Sequence, residues 1–310
     1  MEQDQLEHLT TFQWDKSTIE LWLKEDIPSF DYGGFVVGDK NEVATLFCKQ
    51  NGVLAGRTFF QEVFTYLGCS VEWMIKEGTH IDVTSAEKKR VPVAIVRGEA
   101  RKILAGERTA LNILARCSGI ATRARALRQT ADAQGKTSLR MSVVTNEGYR
   151  GCIAGTRKTT PGFRAVEKYG IMVGGCDPHR MDLSSMIMLK DNHVWSTGSI
   201  TKAVQKAKRG GGFALKIDVE CQTFEDAEEA AKAGADIVML DNFAPEELKK
   251  TARRLKSLFP TLLIEASGGV TGNTVAEYFD DSVDIISMGS LTQGVPHIDF
   301  SLKVPQPNKA

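Results

Sequence analysis

The second half of the chain alternates short apolar runs with longer segments in which apolar residues recur at helical spacing. The runs predict six strands, at 151–157, 185–190, 214–220, 236–241, 262–266 and 284–288. The segments between them predict five helices, at 161–170, 199–209, 223–234, 245–258 and 271–280. Such an order predicts parallel strands, in an open doubly wound sheet or a barrel. Because no G-x-G-x-x-G motif follows the first strand, we favour an incomplete α/β barrel.

The first half of the chain has a different pattern of apolar and polar residues. It predicts a helix over residues 1–25 followed by short strands and turns. The strand candidates are 35–37, 43–47, 71–75 and 91–96, and a helix is predicted at 59–66. Two further helices are predicted at 99–117 and 121–134. This order is typical of an antiparallel sheet with helices. We therefore expect an N-terminal domain over 1–135 and a barrel domain over 136–289.

Polar residues stand at the carboxyl end of every predicted barrel strand. A lysine after one apolar strand is usually just the first solvated residue. Six strands in succession indicate a site, because the carboxyl ends of barrel strands meet at one face. In chain order the residues are Arg157 and Lys158, then Lys190, Glu220, Asp241, Ser267 with Gly268 and Gly269, and Gly289.

The stretch Gly155–Arg164 carries two adjacent cations between a predicted strand and a predicted helix. Pro161 suits the first position of a helix, with Thr159 and Thr160 as candidate caps, and Gly170 is expected to end that helix. Cations beside a helix N-terminus attract anions. The stretch therefore predicts an anion site, although two adjacent charges alone would more often form a solvated turn.

The residue types at these strand ends indicate a ligand with carboxylates, phosphates and a sugar diol. Arginine forks match carboxylates and phosphates, so the basic residues would bind a multiply anionic substrate. Those residues are Arg157, Lys158, His179, Arg180 and Lys190. Ser267, Gly268 and Gly269 would let the backbone approach a phosphate at the start of the predicted helix 271–280. Glu220 and Asp241 could bind ribose hydroxyls, hold Mg²⁺ or stabilise a developing positive charge, and cationic neighbours are expected to lower the pKa of both.

Composition narrows the class of protein. The chain has 310 residues, and its 39 Lys and Arg balance its 39 Asp and Glu, which argues against nucleic-acid binding. Six scattered cysteines without a C-x-x-C pair indicate reduced thiols in the cytosol and argue against a zinc site. The polar N-terminus lacks the pattern of a targeting segment, and no apolar run is long enough for a membrane span. We therefore expect a cytoplasmic enzyme without a membrane partner.

Seven motifs carry a resemblance to a known family. They are Gly155-Thr-Arg-Lys-Thr-Thr-Pro-Gly162, His179-Arg180, Met188-Leu-Lys-Asp-Asn-His193, Glu220, Met239-Leu-Asp-Asn242, Glu265-Ala-Ser-Gly-Gly269 and Gly106-Glu-Arg-Thr-Ala-Leu-Asn112. Together they resemble the quinolinate phosphoribosyltransferase family, also called nicotinate-nucleotide pyrophosphorylase (carboxylating). The run around Arg157 is long and specific, and the resemblance covers most of the chain from about residue 100 onwards.

The resemblance implies a reaction and an architecture. The reaction transfers phosphoribosyl from 5-phosphoribosyl 1-pyrophosphate to quinolinate, giving nicotinate mononucleotide, pyrophosphate and CO2 for NAD biosynthesis. The type II phosphoribosyltransferase architecture has an N-terminal α/β sandwich, to which residues 290–310 would return, and an incomplete seven-stranded α/β barrel. The segment 136–150 could hold the strand that our count of six lacks, or it could be an insertion. The resemblance also implies Mg²⁺ and a homodimer at least, with a hexamer also compatible.

The resemblance further implies a role for each candidate residue. Quinolinate carboxylates would be bound by Arg157, His179 and Arg180, with Arg108 reaching in from a partner subunit. Lys158 and Lys190 would face the phosphoribosyl pyrophosphate and its leaving group. Glu220 and Asp241 would contact the ribose hydroxyls and the metal. The 5-phosphate would be bound by Ser267, Gly268, Gly269 and Gly289.

One departure from the family pattern and three alternatives stay open. Gln293 stands where the family often has histidine, so we leave it out of the catalytic set. A barrel lyase or aldolase could use Lys190 as a Schiff base. A metabolite sensor could keep the pocket without the reaction. A relative that acts on nicotinate without decarboxylation is excluded only by the resemblance and the number of cations.

Overall fold

The computed structural model describes residues 16–133 and 151–306, together with Leu6 and Leu9. They divide into two compact units. The first unit is built from Met1–Arg125, Tyr169–Gly175 and Val295–Ala310, and the second from Ala126–Lys168 and Cys176–Gly294. The predicted domain limits of 1–135 and 136–289 stay a prediction, and residues 134–150 lie outside the described residues.

Twelve strands and nine α-helices are found among the described residues. The strands are β1 (Asn41–Cys48), β2 (Gly52–Val53), β3 (Ser70–Trp73), β4 (His80–Ile81), β5 (Val91–Glu99), β6 (Cys152–Ala154), β7 (Ile187–Leu189), β8 (Ile217–Cys221), β9 (Ile237–Asp241), β10 (Leu263–Ser267), β11 (Ile285–Ser287) and β12 (Phe300–Lys303). The helices are α1 (Lys16–Asp26), α2 (Tyr32–Val37), α3 (Arg57–Tyr66), α4 (Ala100–Ala133), α5 (Arg164–Val173), α6 (Asp191–Thr197), α7 (Ile200–Gly211), α8 (Phe224–Ala233) and α9 (Pro245–Leu258).

The first unit contains a four-stranded antiparallel sheet in the order β12-β1-β5-β3. Its outer strand β12 pairs with β1 in a register that sets Leu302 opposite Leu46. Helix α3 buries Phe60, Val63 and Phe64 completely. These side chains recur at helical spacing on one face, which explains why the predicted helix at 59–66 forms.

The second unit contains a six-stranded parallel sheet in the order β6-β11-β10-β9-β8-β7. The mixed α/β fold with a parallel sheet confirms the predicted fold class, and the six strands lie within the six predicted runs or overlap them closely. A single parallel bridge between Ala154 and Asp177 extends the sheet beyond β6. The seventh strand implied by the resemblance is not found within 16–133 and 151–306.

The strands of this sheet are short and rich in apolar residues because helices cover them. In β9 the first four residues are buried, and Asp241 is half-buried at the carboxyl end. The same pattern holds in β10, where Ser267 follows four apolar or buried residues. Strands β9 and β10 therefore end in polar residues at the same edge of the sheet.

Two predicted helix breaks are wrong, for the same physical reason. The predicted helices 99–117 and 121–134 are one continuous helix, α4, and Gly170 lies inside α5 instead of ending it. A Cβ on Gly119 would approach the carbonyl oxygen of Pro296 to 2.2 Å. A Cβ on Gly170 would approach the carbonyl oxygen of Cys117 to 2.7 Å. Both glycines permit close backbone packing, so neither terminates a helix.

Three other elements differ from the prediction. Residues 35–37 belong to helix α2 and not to a strand, because the Asp31 side chain accepts a hydrogen bond from the Gly34 amide and caps a helix. Helix α5 begins at Arg164, so Pro161 is not its first residue. The predicted helix 271–280 is only a single 3₁₀ turn at Val275–Tyr278.

Candidate active site

A cavity of about 680 Å³ opens at the carboxyl ends of the parallel strands of the second unit. Its volume is typical of a pocket that binds a small-molecule ligand. All but one of the predicted site residues line it: Arg157, Lys158, His179, Arg180, Lys190, Glu220, Asp241, Ser267, Gly268, Gly269 and Gly289. The structure therefore brings the six strand ends together at one site.

The strand order decides which groups are neighbours. In the parallel register of β9 and β10, Asp241 lies beside Ser267. Strand β8, which carries Glu220, flanks β9 on its other side, and β7 follows at the sheet edge before Lys190. Two carboxylates thus lie in the middle of the sheet. The basic residues follow its two edge strands, β6 and β7.

Arg157 follows β6 and is only partly exposed. Its Nε atom is buried and has no hydrogen-bond partner among the described residues. An arginine donor that is buried without a partner costs free energy, because the water it loses is not replaced. An anionic ligand would supply the missing acceptor, so this atom marks where a carboxylate fits.

The loop at 177–180 holds His179 in a left-handed conformation with φ of +58°. The backbone amide of His179 donates to Asp177 Oδ1 at 2.6 Å, and the amide of Arg180 donates to His179 Nδ1 at 2.8 Å. His179 Nε2 lies 3.2 Å from a carboxylate oxygen of Glu265. Because Nδ1 accepts a hydrogen bond, the ring proton is on Nε2 and faces Glu265. Both ring nitrogens of His179 are therefore already engaged within the protein.

The acidic part of the cavity contains Glu220 and Asp241. Lys190 forms an ion pair with Glu220, whose side chain is largely buried. Burial and the Glu220 charge raise the pKa of the Asp241 carboxyl above its ordinary value. The expectation that cationic neighbours would lower the pKa of Asp241 is wrong, because desolvation and the neighbouring carboxylate outweigh them.

The glycine loop after β10 brings the backbone close to the cavity. Gly268 and Gly269 have φ of +96° and +64°, a conformation that favours glycine. A Cβ on Gly268 would lie 2.3 Å from Asn242 Oδ1. Successive glycines of this kind form a concave backbone suited to a phosphate. Since only a 3₁₀ turn follows, the predicted contribution of an α-helix N-terminus at residue 271 is absent from the described structure.

Two groups of side chains could be considered for a metal ion. Glu220 and Asp241 line the same cavity from the neighbouring strands β8 and β9 and offer carboxylate oxygens, which Mg²⁺ prefers. The residues at this position therefore fit Mg²⁺. The ligand atoms of His179, Asp218 and Glu265 also lie within 4.8 Å of one another. A metal on His179 Nε2 would have to displace the proton that faces Glu265, so this group fits a metal less well.

Arg108 is the one predicted site residue outside the cavity lining. It lies on α4 within the first unit, with an exposed side chain. Its proposed role in the site of a partner subunit stays a prediction.

Several residues near the cavity are not among the site residues predicted from the sequence. Glu265 and Gln293 line it, and Asp218 is completely buried in β8 with neither carboxylate oxygen paired among the described residues. Burial and the charge of Glu265 raise the pKa of Asp218 well above its ordinary value. A charged residue inside an apolar strand was a usable signal for Asp218 and Glu265.

Two family models match this chain. The family model described as "Quinolinate phosphoribosyl transferase, C-terminal domain" matches residues 135–303, and the corresponding N-terminal domain model matches residues 27–118. This chain belongs to the quinolinate phosphoribosyltransferase family. The resemblance predicted from the motifs is confirmed.

Individual members of the family match along almost the whole chain. A carboxylating nicotinate-nucleotide pyrophosphorylase of Dictyostelium discoideum is 53% identical over 288 residues, covering 92% of this chain and 94% of the relative. The human protein of the same name is 48% identical over 289 residues, covering 92% and 90%. Among solved structures, NadC from Streptococcus pyogenes superposes with a TM-score of 0.79 at 34% identity, covering 94% and 97%. The two-domain organisation of the family is thus present in one chain.

Proposed function

We propose that this chain transfers the phosphoribosyl group of 5-phosphoribosyl 1-pyrophosphate to the ring nitrogen of quinolinate, with release of pyrophosphate and CO2. Membership of the family makes the chain a phosphoribosyltransferase of NAD biosynthesis. The observation that carries the assignment is one cavity with cations at its two sides and two carboxylates between them. That arrangement suits a dicarboxylate, a sugar and phosphates held together.

In this proposal, arginine side chains bind the quinolinate carboxylates. Arg157 has a buried Nε without a protein partner, which a carboxylate would satisfy. Arg180 donates to the Met186 carbonyl at 3.2 Å and lies near Met188, so its guanidinium is fixed before substrate arrives. Two forked cations would bind two carboxylates in one orientation and leave the ring nitrogen facing the ribose.

The phosphoribosyl donor would occupy the other part of the cavity. Gly268 and Gly269 would receive the 5-phosphate on their backbone. Lys158 lies beside Gly289, where a Cβ would approach Lys158 Cδ to 3.0 Å, and the Lys158 ammonium would face the leaving pyrophosphate. Mg²⁺, when bound by Glu220 and Asp241, would neutralise charge on the pyrophosphate.

The chemistry follows from these charges. As the bond between ribose C1 and pyrophosphate breaks, positive charge develops on the sugar, and the carboxylates of Glu220 and Asp241 stabilise it. The lone pair of the ring nitrogen then forms the new bond to C1. The quaternised ring stabilises the electron pair that the breaking carbon–carboxylate bond leaves on the adjacent ring carbon, so CO2 leaves after transfer and this carbon then takes up a proton from water. No electron carrier is required for these steps, because the ring itself is the electron sink.

The alternative of a Schiff-base lyase is not favoured. Such a lysine must present a neutral amine in an apolar pocket. Lys190 instead forms an ion pair with Glu220, and about half of the Lys190 side chain is exposed.

We also propose that the chain works in the cytoplasm as a homodimer or a larger assembly. The six cysteines are free, which is compatible with a reducing compartment. Among the described residues, none of the helices combines the length and the apolar character that a membrane crossing requires.

A direct test compares two substrates under the same conditions. The purified protein is incubated with phosphoribosyl pyrophosphate, Mg²⁺ and either quinolinate or nicotinate, and nicotinate mononucleotide is separated chromatographically. We expect product from quinolinate only, and loss of product when the metal is chelated. Product from nicotinate would assign the protein to the reaction without decarboxylation, and binding without product would favour a sensor.

A further inference from the structure

Lys168 is a buried cation that the proposed reaction has not used. It lies on α5 and is completely buried. Its Nζ atom donates to the carbonyl oxygens of Pro178 and Arg180, the latter at 2.8 Å, and lies 3.4 Å from the carbonyl oxygen of His179. Three consecutive carbonyls of one loop therefore converge on a single ammonium group.

Side chains bind the backbone amide groups of the same loop. Asp177 binds the amide of His179, and the His179 ring accepts the amide of Arg180. Glu265, which is completely buried, fixes the His179 ring through Nε2. The carbonyl groups of the loop bind Lys168, and its amide groups bind side chains. These hydrogen bonds hold the main chain of the loop in place. This explains how His179 keeps a left-handed φ of +58°.

The loop determines where the Arg180 guanidinium lies. Arg180 is the last of the three residues whose carbonyls bind Lys168, and its side chain lines the cavity. A shift in the main chain at this point would move the guanidinium by a similar distance. A misplacement of about 1 Å in a substrate-binding group can cost two orders of magnitude in rate.

Burying the Lys168 ammonium has an electrostatic cost. Desolvation and the charges of Arg164, Arg157 and Arg180 together lower the pKa of Lys168 to about 8, against the opposing effect of the Asp177 charge. A site that concentrates this much positive charge is stabilised when an anion binds. The dianionic substrate of the proposed reaction is such an anion.

We propose that Lys168 is a positioning residue for the quinolinate carboxylates, acting through the loop at 178–180 and the guanidinium of Arg180. Lys168 does not contact the substrate in this account. The inference rests on the proposed reaction, and it concerns the quinolinate half of the cavity only. The phosphoribosyl pyrophosphate half, built on Lys158, Lys190 and the glycine loop, is not held by Lys168.

The test is a steady-state comparison of the wild type with Lys168→Met, which keeps the length of the side chain and removes its charge and donors. We expect KM for quinolinate to rise about tenfold or more. KM for phosphoribosyl pyrophosphate should change less than about twofold. An unchanged KM for quinolinate, or an equal rise for both substrates, would overturn the inference.

Lys256→Met is a matched control. Lys256 lies on α9, donates to the carbonyl oxygen of Leu262 at 2.6 Å and pairs with Asp284, away from the cavity lining. This variant also removes a lysine that caps a loop carbonyl in the same unit. We expect a lower melting temperature and unchanged KM values for both substrates. A rise in KM for quinolinate in this control as large as in Lys168→Met would contradict a specific role for Lys168.

A second measurement uses the wild type alone, so it tests the inference even if Lys168→Met does not fold. In the wild type, kcat/KM for quinolinate is followed from pH 7 to about pH 9.5, alongside kcat/KM for phosphoribosyl pyrophosphate. Loss of the Lys168 proton near pH 8 should reduce the first value more than the second. Parallel profiles would overturn the inference. A wild type without quinolinate turnover would overturn the proposed function itself, and the inference with it.

Discussion

The ion pair between Lys190 and Glu220 fixes the charge of the central cavity before any ligand arrives. Asp241 lies next to this pair, and the Glu220 charge together with burial raises the pKa of Asp241. The carboxyl groups of Glu220 and Asp241 therefore favour the binding of a cationic sugar centre or a metal ion. Glu220 is the residue on which both proposed roles depend.

Replacing Glu220 by Gln should reduce kcat by about a hundredfold, because a carboxylate that stabilises developing positive charge is lost. The melting temperature should change little, since the amide keeps the volume of the side chain. Steady-state kinetics and a thermal unfolding curve provide the two measurements.

Glu228→Gln provides the control for this variant. Glu228 forms an ion pair with Lys232 at 2.9 Å on the outer surface of α8. An exposed pair contributes little, so both kcat and stability should stay near the wild-type values. An active Glu220→Gln enzyme would remove Glu220 from the catalytic set.

Among single residues, side chains at strand ends could be predicted from the sequence, whereas those that act from inside an element could not. Arg157, Lys190 and Asp241 could be predicted because a charge directly after an apolar run is visible in the sequence. Lys168 could not, because it occurs within a helix and its partners are backbone carbonyls that only the folded loop brings together. The same limit applies to the tautomer of His179, which depends on the amide of Arg180.

At the level of single elements, the loop after β10 leaves no space for a side chain at Gly268. Gly268→Ala would place a Cβ 2.3 Å from Asn242 Oδ1 at a φ of +96°. We expect a loss of about 1–3 kcal/mol in the free energy of unfolding from backbone strain. KM for phosphoribosyl pyrophosphate should rise, because the loop that receives the phosphate must move.

Gly272→Ala tests whether this effect belongs to the position or to glycine loss in general. At Gly272 a Cβ would meet only Leu127 Cδ2, at an ordinary 3.5 Å. Both the free energy of unfolding and KM should remain close to the wild-type values. A Gly268→Ala variant with the KM of the wild type would contradict the proposed phosphate site.

The positions of strands could be predicted more closely than those of helices. Strand runs such as 236–241 are short, apolar and bounded by polar residues, so their limits are visible. Helix limits at Gly119 and Gly170 were misplaced because these glycines serve packing between distant segments of the first unit. That role depends on tertiary contacts, which hydrophobic spacing does not encode.

At the scale of the whole molecule, the proposed site of one subunit includes Arg108 of another. The Arg108→Ala and Lys158→Ala variants are each expected to be nearly inactive alone. When the two are co-expressed, about half of the dimers should be hybrids, and one of the two sites in each hybrid lacks both substitutions. Assayed without separating the hybrids from the parent dimers, the mixture should recover about a quarter of the wild-type rate. No recovery would place Arg108 in the site of its own subunit or outside any site.

In the proposed reaction, CO2 leaves only after the ring nitrogen has been joined to ribose. The measurement uses quinolinate labelled with ¹³C in the carboxylate next to the ring nitrogen. We expect labelled CO2 and nicotinate mononucleotide in equal amounts, and no labelled CO2 when phosphoribosyl pyrophosphate is omitted. Labelled CO2 in its absence, or a nucleotide that retains the label, would contradict the proposed reaction.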